Sequence, residues 1–204
     1  MSIAAEEDGV DADGVPPRSI RFADLPRQSL DQGRGSAREV WADLDPDLTL
    51  RWQLRVLEIK DSTGLLVGPA GTHHFVVGLA GPQVAVRNTE SSRVLRRDHV
   101  MPVLSATVYF ERPKLRPPGA SSLIVLTFAA GTEPPEFAIR TTPPDTALAA
   151  GTQLLLTLRG TVRVDGVEAA PGTALLLDPN RSHPLQAASA QLLTVHRPGS
   201  QPEP

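Results

Sequence analysis

Cysteine is absent from this sequence, which excludes disulfides, zinc–thiolate sites and thiol nucleophiles. Aromatic side chains are scarce, with two tryptophans, one tyrosine and five phenylalanines in 204 residues. No stretch approaches the ~18 consecutive apolar residues that a membrane helix needs. Nor is there an excess of basic charge. The net charge is −3, whereas a sequence-independent nucleic-acid binder carries a basic face to neutralise phosphates. Gly-x-Ser-x-Gly, Walker and dinucleotide-binding patterns are missing, and no segment sustains a capped helical period. These absences point away from membranes, nucleic acid and the common nucleophile and nucleotide enzymes, and a cytoplasmic location is expected.

What the chain does have is 20 prolines and 16 glycines, the punctuation of many short elements joined by turns. "LTLRWQLRVLEI" (48–59) alternates, with Leu48, Leu50, Trp52, Leu54 and Val56 on one face and Arg51, Gln53 and Arg55 on the other. The apolar Leu57 breaks that alternation and predicts a bulge or a strand end. "TVRVDGVEAA" (161–170) predicts a hairpin, because Asp165-Gly166 suits the two left-handed positions of a type I′ turn. "TALLLD" (173–178) and "QLLTVH" (191–196) read as strands buried on both faces. The expected fold class is all-β.

An internal repeat refines this. "PAGTHHFVVGLAGPQVAV" (69–86) and "LAAGTQLLLTLRGTVRV" (148–164) share Ala-Gly-Thr, an apolar strand, Leu-x-Gly, a short gap and a second strand. Such periodicity predicts two similar halves. The expected organisation is a disordered acidic tail (1–18), an N-terminal half (19–112), a Pro/Gly/Ser-rich connection (113–122), a C-terminal half (123–197) and a disordered tail (198–204).

Several segments resemble a known superfamily. "PGTALLLDPNRSHPLQA" (171–187) resembles the second cupin motif, with a glycine, an apolar strand, a proline turn and a histidine, and the Leu-x-Gly hairpins resemble the end of the first. "QGRGSAREV" (32–40) is similar to the Asn-Gly-Gly-Gly-Thr-Thr-Arg-Glu-Ile signature of the HutD family through Gly33, Gly35, Arg38 and Glu39. "RWQLRVLEI" (51–59) is similar to a strand of that family through Trp52, Leu54 and Glu58. His73 or His74 stands where the family's next hairpin has an arginine. The resemblance implies two cupin-like β-barrel or jelly-roll halves in a bicupin arrangement. It also implies binding of a small polar or acidic metabolite in a regulatory or accessory role, and a possible homodimer.

The residues suggest where such a ligand would sit. Gly33 and Gly35 permit positive φ and a close backbone approach, so the loop could fold over a cavity mouth. Arg38 could then offer its planar fork to a carboxylate, with Glu39 facing the other way on an extended chain. Trp52 and either His73 or His74 are expected on the wall of the N-terminal barrel, which makes Arg38, Glu39, Trp52, His73 and His74 the candidate ligand-binding set. A metal is not expected. Counting back from Gly81 and Gly160 finds no His-x-His, leaving His183 alone, and one imidazole cannot hold an ion. Adjacent His73 and His74 point to opposite faces of a strand. No cofactor and no catalytic residue are expected. Two other readings stay open: a metal-independent isomerase or epimerase using His74 as base and Tyr109 as acid, and an interaction module whose barrel is filled with side chains.

Overall fold

The computed structural model describes residues 15–30, 32, 34–60, 63–97, 99–112, 119–142 and 146–197. The strands in the first part of the chain are β1 (Arg18–Arg21), β2 (Gln28–Ser29), β3 (Gly35–Leu44), β4 (Leu50–Ile59), β5 (Thr63–Val67), β6 (Thr72–Ala80), β7 (Ala85–Arg87), β8 (Ser92–Val94), β9 (Met101–Val103), β10 (Thr107–Glu111) and β11 (Ser121–Ala129). Those that follow are β12 (Glu136–Thr142), β13 (Thr146–Leu148), β14 (Thr152–Arg159), β15 (Val162–Val164), β16 (Val167–Ala169), β17 (Thr173–Leu176), β18 (His183–Ala187) and β19 (Ala190–His196). A single 3₁₀ turn, Phe22–Asp24, is the one helical element among the described residues. No helix is long and apolar enough to cross a membrane.

Four antiparallel sheets result. Sheet I has the order β2-β3-β4-β11-β6-β9, sheet II β5-β10-β7-β8, sheet III β1-β17-β14-β19-β12 and sheet IV β13-β18-β15-β16. Adding eight to the strand numbers of β4-β11-β6-β9 and of sheet II reproduces β12-β19-β14-β17 and sheet IV. The repeat noticed in the residues is thus a repeat of strand order. Its turns match in detail. Thr72 Oγ1 donates to Pro69 O and Thr152 Oγ1 to Ala149 O, both at 2.7 Å. Gly81 and Gly160 close the two copies with φ of 85° and 77°, where an added Cβ would lie 2.1 Å from Ala120 O and 2.5 Å from Ser189 O. Only glycine tolerates both the dihedral and the contact. The 161–170 hairpin forms as expected, with Asp165 and Gly166 at φ of 47° and 79°.

Three apolar cores separate the layers. Leu66, Val86, Val108 and Phe110 of sheet II pack on Leu57, Val76 and Val125 of sheet I. Trp52, Leu54, Ile124, Leu126 and Phe128 on the opposite face of sheet I pack on Leu154, Leu156, Leu193 and Val195 of sheet III. Leu155, Leu175 and Leu192 on the far face of sheet III meet Leu148, Val162, Val164 and Leu185 of sheet IV. The layers therefore run II–I–III–IV. Sheets I and III are covered on both faces, which is why β11 is buried continuously from Leu123 to Phe128 and why periodicity weakens there.

Four expectations need correction. The sheets face one another as sandwiches, and no closed barrel forms among the described residues. β4 does not bulge at Leu57: its register with β11 is unbroken from Ile59↔Ser121 to Trp52↔Phe128. Leu57 is apolar because that end of the second face lies over the sheet II core, and the irregularity falls in β3 instead, between Glu39 and Trp41. The proline-rich stretch does not separate the two strand sets. Residues 113–118 lie outside the described ones, but β10 and β11 on either side belong to sheets sharing one core, and the crossing to the second set follows Ala129. Finally, Arg18 belongs to no tail, since β1 pairs with β17 from Arg18↔Leu176 to Arg21↔Thr173. Residues 1–14 and 198–204, expected to be disordered, lie outside the described residues.

Candidate functional site

β3 is the strand that brings chemistry to the gap between sheets I and III. Gly35 is its first residue, and a Cβ there would lie 2.3 Å from Glu58 O and 2.6 Å from the Leu30 side chain. Its glycine is therefore required by close packing at the start of a strand, not by a loop folded over a cavity mouth; Gly33 lies outside the described residues. From Gly35 the side chains alternate. Ser36 and Arg38 face sheet III beside Glu58 and Val56, their register partners on β4, whereas Ala37 joins the core toward sheet II.

Ser36, Arg38 and Glu58 line a cavity of about 400 Å³ between the two large sheets. Ser122 of β11 and Thr157 of β14 add hydroxyls, and Phe22, Val56, Leu79, Ile124, Leu156 and Leu158 supply an apolar surround. This volume and this mixture are typical of small-molecule pockets. Arg38 Nη1 donates to Phe22 O at 2.8 Å, which holds the guanidinium against the segment crossing from β1 to β2. Arg38 Nε is buried with no hydrogen-bond partner among the described residues. Ser36 Oγ lies 3.5 Å from Glu58 Oε2, and Lys60 Nζ is 3.9 Å from the same oxygen. No ion pair joins Arg38 to Glu58 among the described residues, so the cavity presents a cation and an anion that do not neutralise each other.

The other sequence-predicted residues lie elsewhere. Trp52 is 2% exposed in the central core, and its row across sheet I runs through Phe128 to His73. The cavity row is Glu58, Ser122 and Ala80, six residues along β4 and about 20 Å away at strand rise. His73 meets Phe128 edge-on, with ring centroids 5.9 Å apart. Trp52 and His73 therefore form part of the packed interface and do not wall the cavity. Glu39, on the sheet II face as expected, accepts a short hydrogen bond from Gln53 Nε2, because its register partner is Arg55 and not the cavity-facing Val56. Arg51 is paired with Asp45 and Asp43 at the surface.

His74 occupies the interior of the first sandwich, fully buried. Its Nε2 lies 3.2 Å from Ala106 O and its Nδ1 2.9 Å from Thr127 Oγ1. A carbonyl can only accept, so Nε2 carries the proton and Nδ1 accepts from the threonine hydroxyl. Burial pushes the imidazole down to about 4, opposed by the Ala106 hydrogen bond, with Arg55 and His73 lowering it further. Tyr109 is 36% exposed and sits under the Arg87 guanidinium, 5.6 Å from the ring centroid. Its neighbours Val108 and Phe110 fill the core, so the tyrosine points outward while His74 points inward. The pair does not converge on one site.

Among the described residues no group of three His, Asp or Glu side chains gathers in a way that could hold one, and both ring nitrogens of His74 are already engaged. In the second sandwich His183 sits between Asp165 Oδ2 at 2.6 Å and Asp178 O at 2.8 Å, and Arg181 binds the same Asp165 oxygen at 2.7 Å. That cluster ties the β15–β16 turn to the loop before β18.

Ser36, Ser122 and Thr157 were not legible as site residues, since isolated hydroxyls are common in strands. The available signal was alternation: Ser36 and Arg38, like Glu58, interrupt the apolar face that Trp52, Leu54 and Val56 begin.

No family profile and no curated protein sequence matches the chain. Solved structures do. A conserved protein of unknown function from Pseudomonas aeruginosa PAO1 superimposes with a TM-score of 0.70 at 20% identity, covering 89% of this chain and 98% of that one. HutD from Pseudomonas fluorescens SBW25 gives 0.67 at 17% identity, over 89% and 100%. A mutant oxalate decarboxylase from Bacillus subtilis gives 0.60 at 9% identity, over 91% and 78%. These similarities show a cupin-type fold.

Proposed function

We propose that the chain is a HutD-like protein with two cupin-like halves, β4–β11 and β12–β19, that binds a small acidic metabolite between its two large sheets. Its role would be accessory or regulatory in the cytoplasm, without turnover. The observation that carries this reading is Arg38, a cavity-lining guanidinium with one terminal nitrogen held by Phe22 O and no carboxylate partner among the described residues. A ligand carboxylate on the cavity side would meet a pre-oriented donor in a partly apolar surround, where charge-assisted hydrogen bonds are strongest. Leu57, Val108, Phe110 and their neighbours fill the centre of the first half, and this reading puts the ligand between sheets I and III instead. The isomerase reading finds no support in the separation of His74 from Tyr109.

The test is a thermal-shift screen of the purified chain against small acyl-amino acids, dicarboxylates and sugar nucleotides. A ligand at ~100 times its dissociation constant adds about 2.7 kcal/mol to the native state. The expected result is stabilisation by a carboxylate compound that disappears in Arg38→Ala and persists in Trp52→Phe. Stabilisation that survives Arg38→Ala would place the ligand elsewhere and overturn the reading.

A further inference from the structure

The two strand sets differ at one edge. In sheet I, β4 is covered on its outer side by β3, with β2 beyond it. Among the described residues its counterpart in sheet III, β12, is the terminal strand, paired on one side only with β19. β12 is thus a seven-residue edge in a position where the same fold elsewhere carries another strand. An unpaired edge is a template for strand addition.

We infer that β12 pairs with β12 of a second copy of this chain, in an antiparallel two-fold arrangement centred on Ala138. The argument is one of register and charge, and it does not depend on the proposed ligand. Phe137 and Ile139 face the central core, so Glu136, Ala138 and Arg140 take the opposite face. A two-fold axis perpendicular to the sheet preserves faces, so even-numbered residues must oppose even-numbered ones. Of the registers that remain, only the one centred on Ala138 sets Glu136 opposite the second copy's Arg140, and does so twice. Centring on Ile139 would set Glu136 opposite Thr142 and Arg140 opposite Ala138.

Within one copy Glu136 and Arg140 bind each other at 2.6 Å, and both are more than half exposed, so each is available for exchange across the axis. Edges are defended against pairing by charged side chains, prolines, bulges or inward-pointing charges, and a charge defends against self-pairing only where its own symmetry mate or a like charge lies opposite it. This edge carries one of each sign at a self-complementary spacing. Pairing would also bring Phe137 opposite Ile139 and continue the core between sheets I and III across the axis.

The purified full chain is examined by sedimentation velocity and multi-angle light scattering from low to high micromolar concentration, in low and high salt. A dimer is expected that weakens with salt. Arg140→Glu, which places like charges together at both positions, should raise the dissociation constant about tenfold or more while leaving the far-UV spectrum and melting temperature of the monomer intact. Glu136→Arg should do the same. An equimolar mixture of the two single variants should re-form a dimer, because each supplies the charges the other lacks. A wild-type chain that stays monomeric, or a dimer indifferent to Arg140→Glu, would overturn the assignment. So would a mixture that remains monomeric when both variants are folded.

Discussion

Acidification should unfold this protein in part through His74, and the contribution can be isolated. His74 is fully buried, and its folded pKa is about 4 against an ordinary 6.5. Above pH ~6.5 both folded and unfolded states hold it neutral. As pH falls from there the unfolded chain takes up a proton that the folded chain refuses, so the unfolded state binds more protons and stability drops. The loss continues until the folded pKa is passed, then levels off. At about 1.4 kcal/mol per unit, the gap amounts to about 3 kcal/mol. The assay is urea unfolding of the wild type and His74→Gln at closely spaced pH values from 7.5 to 4.5. Subtracting the two curves removes the shared contribution of the carboxylates and of His196. The difference should be constant near neutrality and then fall by about 1.4 kcal/mol per unit below pH ~6. A difference that stays flat to pH 4.5 would mean that His74 titrates normally in the folded state. The reasoning that its burial between Thr127 and Ala106 excludes the charged form would then be wrong.

Other substitutions test the architecture. Gly81→Ala and Gly160→Ala should each cost well over ~1 kcal/mol in urea unfolding, because a positive φ and a carbonyl contact both oppose the new Cβ. Gly131→Ala, with φ of 81° but nothing within 4 Å, should cost only about 1 kcal/mol. Trp52→Ala should cost about 3–5 kcal/mol by opening a void between sheets I and III, without altering ligand selectivity. Asp165→Ala should cost about 1–3 kcal/mol by stripping His183 Nδ1 and Arg181 of their shared acceptor. Asp165→Asn, which keeps an acceptor and tolerates the left-handed turn position, should recover part of that in the same measurement.

The legible features were local ones. The Asp165-Gly166 hairpin, the two Ala-Gly-Thr turns and the closing Gly81 and Gly160 follow from dihedral preference and short-range contact, and each appears where the residues imply it. The alternation of β3 placed Arg38 and Glu39 on opposite faces correctly. Leu57 misled because alternation reports one buried face, and β4 has two. Trp52 and His73 misled for a related reason. Both do lie on the inner face of sheet I, but far down the strand from Glu58, and the distance along a shared face is invisible until the facing sheet is known.

By itself, then, the sequence determined that the chain is all-β, that its strand pattern repeats and where its tight turns fall, since these depend on φ preferences and on neighbours a few residues apart. The tertiary structure alone decided which sheets meet. It decided that β1 crosses to pair with β17, that a cavity opens between sheets I and III, and that Arg38 lines it. The physical reason is that the central strands are apolar on both faces. Hydrophobic patterning records that a face is buried but not against what, and only long-range pairing supplies the partner.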